Sequence, residues 1–186
     1  MTLKTSALTA AAAASLVLLL AGCAAPAANG PGADATPSGD VPPAAAIVAG
    51  PCDTDEGVTL VVDSSALADG DVQEWCRPTE EALAVATVLD EAGVETEGTE
   101  EYGDDVVCRV NGIPSATEPV GSTEDPAYVE ECASMPAAFA YWSLWVKTTG
   151  GEWGYAEEGL ATLEAAPGES VALLFTLDGA PASPTS

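Results

Sequence analysis

Histidine is absent from the 186 residues, so the chemistry open to this chain is that of carboxylates, cysteines and aromatic rings. A Ser-His-Asp or Cys-His relay cannot be built without an imidazole, and neither can a histidine-ligated metal site. No Gly-rich phosphate loop occurs. Adjacent acids stand at Asp104-Asp105 and Glu157-Glu158, the residue type for general acid and base work. Both pairs fall in turn-like sequence, where neighbouring carboxylates are solvated. Ser143 lies among aromatics with no base near it and reads as a strand residue. The expectation is no catalytic residue, no metal and no cofactor, hence a protein that is not an enzyme.

What remains is aromatic. The stretch from Phe139 to Tyr155 holds six of the ten aromatic residues, with three of the four tryptophans. Large rings supply buried area and flat recognition surface alike. The stretch reads as two strands around Thr148 to Gly151. A tight connection centred on Thr149-Gly150 pairs Lys147 with Glu152 and sets Trp145 opposite Gly154. Side chains alternate between the faces of a strand, so Trp142, Leu144, Val146, Trp153 and Tyr155 then share the core face. The other face shows Tyr141, Ser143 and Trp145, with Trp145 covering the bare Gly154 backbone. On this register the ligand-binding candidates are Tyr141 and Trp145. A slip of one residue would exchange the faces.

Five cysteines are present. Cys23 closes an N-terminal segment in which Lys4 is the only charge and Ala7 to Leu20 is an apolar run of fourteen residues. A basic start, a short apolar run and small residues before a cleavage point describe a secretory signal. The run is shorter than the roughly 20 residues that cross a bilayer. Its end, Leu20-Ala21-Gly22-Cys23, resembles the bacterial lipobox. That resemblance implies cleavage before Cys23, a diacylglyceryl group on its thiol, and a lipid-anchored protein on the outer, extracytoplasmic face of the cell membrane.

The other four, Cys52, Cys76, Cys108 and Cys132, suit an oxidising compartment as two disulfides. Three connectivities are open. The equal spans of 24 positions favour Cys52–Cys76 and Cys108–Cys132. Zinc is the competing use, but close C-x₂-C spacing is missing.

After cleavage Arg77, Arg109 and Lys147 face 30 Asp plus Glu, a balance of −27. Such a surface is repelled by nucleic acid, so no nucleic-acid partner is expected. The acids are scattered, with no Asp-x-Asp-x-Asp-Gly calcium loop.

Four parts position these residues: a signal peptide over 1–22, the lipidated cysteine and a disordered Ala/Pro/Gly linker over 23–51, a domain over 52–177, and a disordered tail over 178–186. As a flexible coil the linker spans about 30 Å, and as stretched polyproline about 85 Å. Within the domain, Gly57 to Asp63 is a buried β-branched strand, and Asp69-Gly70 turns the chain back into Val72 to Cys76. Pro78 with Glu80 and Glu81 opens a helix. Ala82, Val85, Ala86, Leu89 and Ala92 give its apolar face, and Gly93 stops it. Gly103 to Asp105 is a turn, Val106 to Val110 a strand, and 115–135 a polar loop. Ser170 to Thr176 is the last strand. The class is α+β, a mixed sheet crossed by one helix and stapled by disulfides. This order looks like a β-grasp, the alternatives being a small open sandwich or a split βαβ fold.

Further landmarks are Val107-Cys108-Arg109-Val110-Asn111-Gly112-x-Pro114, Tyr141-Trp142-Ser143-x-Trp145, Gly150-Gly151-x-Trp153-x-Tyr155 and Pro167-Gly168. Together they resemble secreted actinobacterial proteins often encoded beside energy-coupling-factor transporters. The order of elements is similar to the β-grasp module that closes transcobalamin-type proteins. The resemblance, over roughly residues 55–177, implies a non-enzymatic ligand-binding or transport-accessory domain for vitamin or metal uptake. Its partners would be a small molecule or a transporter component. Departures are Val146-Lys147 after Trp145, a last strand without Trp, and no helical-barrel domain. A structural or protein-interaction module at the cell envelope is the other reading of the same rings.

Overall fold

A computed structural model of the chain describes residues 46–185. The expected signal peptide over 1–22, the expected lipidation site Cys23 and the expected linker up to residue 45 lie outside the described residues. In chain order the elements are β1 (Val48–Ala49), β2 (Gly57–Asp63), β3 (Val72–Pro78), β4 (Leu83–Ala84), α1 (Val85–Ala92), β5 (Thr96–Thr99), β6 (Gly103–Val110), β7 (Ala140–Lys147), β8 (Trp153–Tyr155), β9 (Glu164–Ala165) and β10 (Ser170–Leu177). No helix among the described residues is long and apolar enough to cross a membrane.

Six strands form one mixed sheet in the order β1-β3-β2-β10-β7-β8. Its central pair, β2 and β10, runs parallel, while the other neighbours are antiparallel. Every residue of β2 is buried, as expected for a central strand covered on both faces. One face packs beneath α1. Val85, Val88 and Leu89 of the helix join Val58, Leu60 and Val62 of β2 and Val171, Leu173 and Phe175 of β10 in the main core. Among the described residues the architecture is therefore an α+β mixed sheet with one helix.

The helix is shorter than its pattern suggests. It starts at Val85, and no acid lies in its first turn. Upstream, the Thr79 hydroxyl accepts the Glu81 N–H at 3.1 Å and donates to the Glu81 carbonyl at 2.8 Å. Such local side-chain bonds compete with helical ones. Leu83 and Ala84 are drawn into a bridge with β9 instead. Pro78 thus closes β3 rather than opening α1. The Gly93 stop is as read, with φ of 69° in the left-handed region, where glycine has no Cβ penalty.

β5 is a strand that apolar patterning misses, since Thr96-Glu97-Gly98-Thr99 holds nothing hydrophobic. It pairs with β6, which begins at Gly103 where a turn was expected. The register shifts on both sides of Gly98. A Cβ there would meet the Gly103 carbonyl oxygen at 2.2 Å, so only glycine permits this close approach. The linker also ends earlier than expected: Val48 and Ala49 pair with Cys76 and Trp75.

The disulfides are Cys52–Cys76 and Cys108–Cys132, the pairing favoured by their equal spans. The first joins the segment before β2 to β3. The second pins the long 115–135 loop to β6, and Arg109 holds it from inside. Its guanidinium, buried at 6% exposure, donates to the carbonyls of Pro114 and Glu130 and to Glu97 Oε1. Glu130 in turn accepts the Cys132 N–H at 2.8 Å and the Tyr128 hydroxyl at 2.6 Å. Burial, reinforced by this bond to Glu130, pushes the Tyr128 hydroxyl up to about 12.

The start of the segment expected as a disordered tail is tied down. Asp178 accepts the Ser122 hydroxyl at 2.6 Å and both the Thr123 N–H and hydroxyl at 2.8 Å. Leu177 bridges to Ala180, and Pro184 is buried. The bond from Ser122, followed by those from Thr123, holds the Asp178 carboxyl below its ordinary value of 3.8. A depressed folded value means that its contribution is complete above the unfolded carboxylate range. The contribution is lost as pH falls through the folded value. Asp178→Asn keeps a side chain that tolerates the local φ of 51° but removes the charge. Denaturant unfolding of both proteins should show wild type more stable at pH 7 and the difference shrinking by pH 2. A constant difference would contradict the role given to the charge.

Candidate functional site

The hairpin of β7 and β8 forms the outer part of the sheet, and its register decides which rings are available. Trp145 pairs with Tyr155, Val146 with Gly154, and Lys147 with Trp153. This is one residue away from the register expected with a tight Thr149-Gly150 connection. The cause is the turn. Five residues, Thr148 to Glu152, separate the paired ends, with the Gly151 N–H donating to the Thr148 carbonyl and Gly150 at a φ of 70°. With side-chain period two, the single extra step exchanges the faces of β8.

Trp142, Leu144 and Val146 keep the expected core side. Trp142 meets Phe175 edge-on at 5.3 Å between centroids, and its indole N–H donates to the Ile113 carbonyl at 2.9 Å. Trp153 and Tyr155 do not join them. They lie on the other face, beside Trp145.

Trp145, expected as an exposed contact ring, is buried at 6% exposure. It forms a second small core with Val61, Ala172 and Leu174, and Trp153 packs against that core. Its indole N–H donates to the Ser143 hydroxyl, which donates to the Leu174 carbonyl. Tyr155 stacks on it, with centroids 4.0 Å apart and planes inclined by 29°. The Lys147 ammonium sits 4.8 Å from the centroid of the Trp153 ring. Trp145 is thus a packed floor, and the ring presented to solvent is Tyr155, 61% exposed.

Beside Tyr155 opens a cavity of about 420 Å³. Tyr141, half-buried on β7, its neighbour Trp142, and Tyr155 at the end of β8 supply its rings, and Val107 of β6 and Leu160 supply apolar wall. Asp105, Glu157 and Glu158 are exposed residues of its lining. Partial desolvation, and then the hydrogen bond to Tyr141, push the Tyr155 hydroxyl above its ordinary value. Both tyrosines line the cavity. Acids that look like unrelated turn residues, 52 positions apart in sequence between Asp105 and Glu157, meet at one opening because β6 and the end of β8 converge there.

Of the two ligand-binding candidates, Tyr141 lines this cavity and Trp145 does not. Tyr155 was missed because its face depends on the turn length. A turn written Thr-Thr-Gly-Gly-Glu, with two glycines, is the signal that a longer connection was available.

A buried cluster of Cys108, Glu130 and Cys132 has the residue types of a metal site. The sulfurs are spent on their mutual disulfide, and both Glu130 oxygens already accept hydrogen bonds. These residues do not suit a metal ion. Compared with protein-family models, curated proteins and solved structures, the chain finds no match.

Proposed function

We propose that this chain is a lipid-anchored extracytoplasmic lipoprotein whose domain is a non-enzymatic, ligand-binding module of the β-grasp kind, serving solute uptake as a transport accessory. The observation that carries the binding reading is the cavity beside Tyr141 and Tyr155. Its size falls within the roughly 300–1,000 Å³ of small-molecule sites, and its lining combines aromatic and aliphatic residues with a few polar groups. The β-grasp assignment is supported by strand order: a first hairpin (β2 and β3), a helix, and a last strand, β10, set parallel to β2 and flanked by β7. Export is supported by the signal-like start and by two disulfides, which persist in oxidising compartments.

Two experiments test the parts separately. Cys23→Ala should move the protein from the membrane fraction to the soluble one, since a stable anchor needs the acyl chains. Continued membrane retention would overturn the lipid anchor. For the ligand, Trp142 lines the cavity and reports on its occupancy. A panel of corrinoids, sugars, and aromatic amines and acids should contain a solute that changes tryptophan emission saturably. An unchanged emission throughout would overturn the binding reading.

A further inference from the structure

The cavity beside the tyrosine pair has a neighbour. A second hollow of about 500 Å³ lies between α1 and the β5–β6 hairpin. Val107 and Leu160 line both hollows and partition them. The two openings share an electrostatic character. Asp105, Glu157 and Glu158 stand at the first, and Asp90, Glu95, Glu97 and Asp104 at the second. No lysine or arginine lines either one. Arg109 neutralises Glu97 from the protein side, Arg77 is paired with Glu91, and Lys147, on the same hairpin as Tyr155 but outside the lining, sits over Trp153.

Resting on the ligand-binding reading above, we infer that the solute taken by the Tyr141–Tyr155 cavity is a small organic cation with an aromatic or apolar body. Three features point the same way. Ring faces present the negative part of the aromatic quadrupole, which attracts a cation lying within about 6 Å of the centroid. The field of a chain with a net charge of −26 concentrates cations at its clefts and repels anions. The apolar wall formed by Val107 and Leu160 favours a ligand with surface to bury. A metal ion fits less well. Among the described residues, the only group of three ligating atoms close enough to converge on an ion is the disulfide cluster at Cys108. The rim carboxylates therefore supply a field rather than a coordination shell.

The test is calorimetric titration of the disulfide-intact protein with three probes of one shape: 2-naphthylmethylammonium, 2-naphthylmethanol and 2-naphthylacetate. At low salt the ammonium should bind about tenfold more tightly than the alcohol, with the carboxylate weakest. The variant Asp105→Asn/Glu157→Gln/Glu158→Gln changes only exposed side chains and should bring ammonium and alcohol to within about twofold. Equal binding of the two by wild type, or tightest binding of the carboxylate, would overturn the cation inference while leaving a ligand site in place. A preference unchanged in the triple variant would overturn the role of these acids. Failure of all three probes to bind would overturn both the inference and the binding reading beneath it.

Discussion

Trp142→Ala and Trp145→Ala are each expected to destabilise the domain by about 3–5 kcal/mol, the cost of truncating a packed tryptophan. The two rings point to opposite faces of β7, yet both are almost fully buried, at 7% and 6% exposure. Each also has its indole N–H satisfied inside the protein. A hairpin with Trp145 on an open face would give a large cost for the first substitution and a small one for the second. The observed register predicts similar costs. Domains are stable by only about 5–15 kcal/mol, so Trp→Phe variants provide a gentler pair should either alanine variant fail to fold. Denaturant unfolding checks the point. A Trp145 cost below about 1 kcal/mol would contradict the second core.

Arg109→Ala should be nearly as damaging, by about 3–5 kcal/mol. The loss comes from what is left behind more than from what is removed. Truncation strips the donor from the Pro114 and Glu130 carbonyls and the partner from Glu97. An unsatisfied buried polar group costs about 1–3 kcal/mol. Because these acceptors lie at both ends of the 115–135 loop, the loop should also become more open to hydrogen exchange around residues 128–132. Arg109→Lys retains the charge but not the three-way fork, and should recover only part of the loss. Full stability in Arg109→Ala would mean that the disulfide alone holds the loop.

These substitutions bear on how far the fold could be read from residue order. Gly57 to Asp63 and Ser170 to Thr176 are legible because a central strand buried on both faces is rich in apolar and β-branched residues. The disulfides are legible only in part, because Cys52–Cys108 with Cys76–Cys132 would also have equal spans, and the observed pairs are simply those nearer in sequence. The helix end is legible because Gly93 takes a conformation that other residues resist. The helix start is not, because Glu80 and Glu81 look like first-turn acids while the Thr79 hydroxyl diverts the backbone locally. Thr96 to Thr99 is silent because its pairing is dictated by β6 and by the clearance at Gly98.

The site suffers most from a single number, the turn length after Lys147. One added residue moved Trp153 and Tyr155 across the sheet, buried Trp145 and left Tyr155 as the outward ring. Tyr141 survives as a candidate because its face is fixed by β7 itself, through its pairing with β10. Acids such as Asp105 and Glu157 have no local signal that brings them together, because that meeting is a property of chain topology.

The central claim is that the cavity beside the tyrosine pair takes a small solute. The most direct measurement is a parallel emission titration of wild type and Tyr155→Ala with the same solutes. Losing the stack on Trp145 should cost about 0.5–1.5 kcal/mol, so denaturant unfolding of the variant establishes that it is folded under the titration conditions. The account predicts saturable change in wild type and a response at least about tenfold weaker in the variant, the scale of one lost ring contact. Identical titrations of the two proteins, or no response from either, would contradict it.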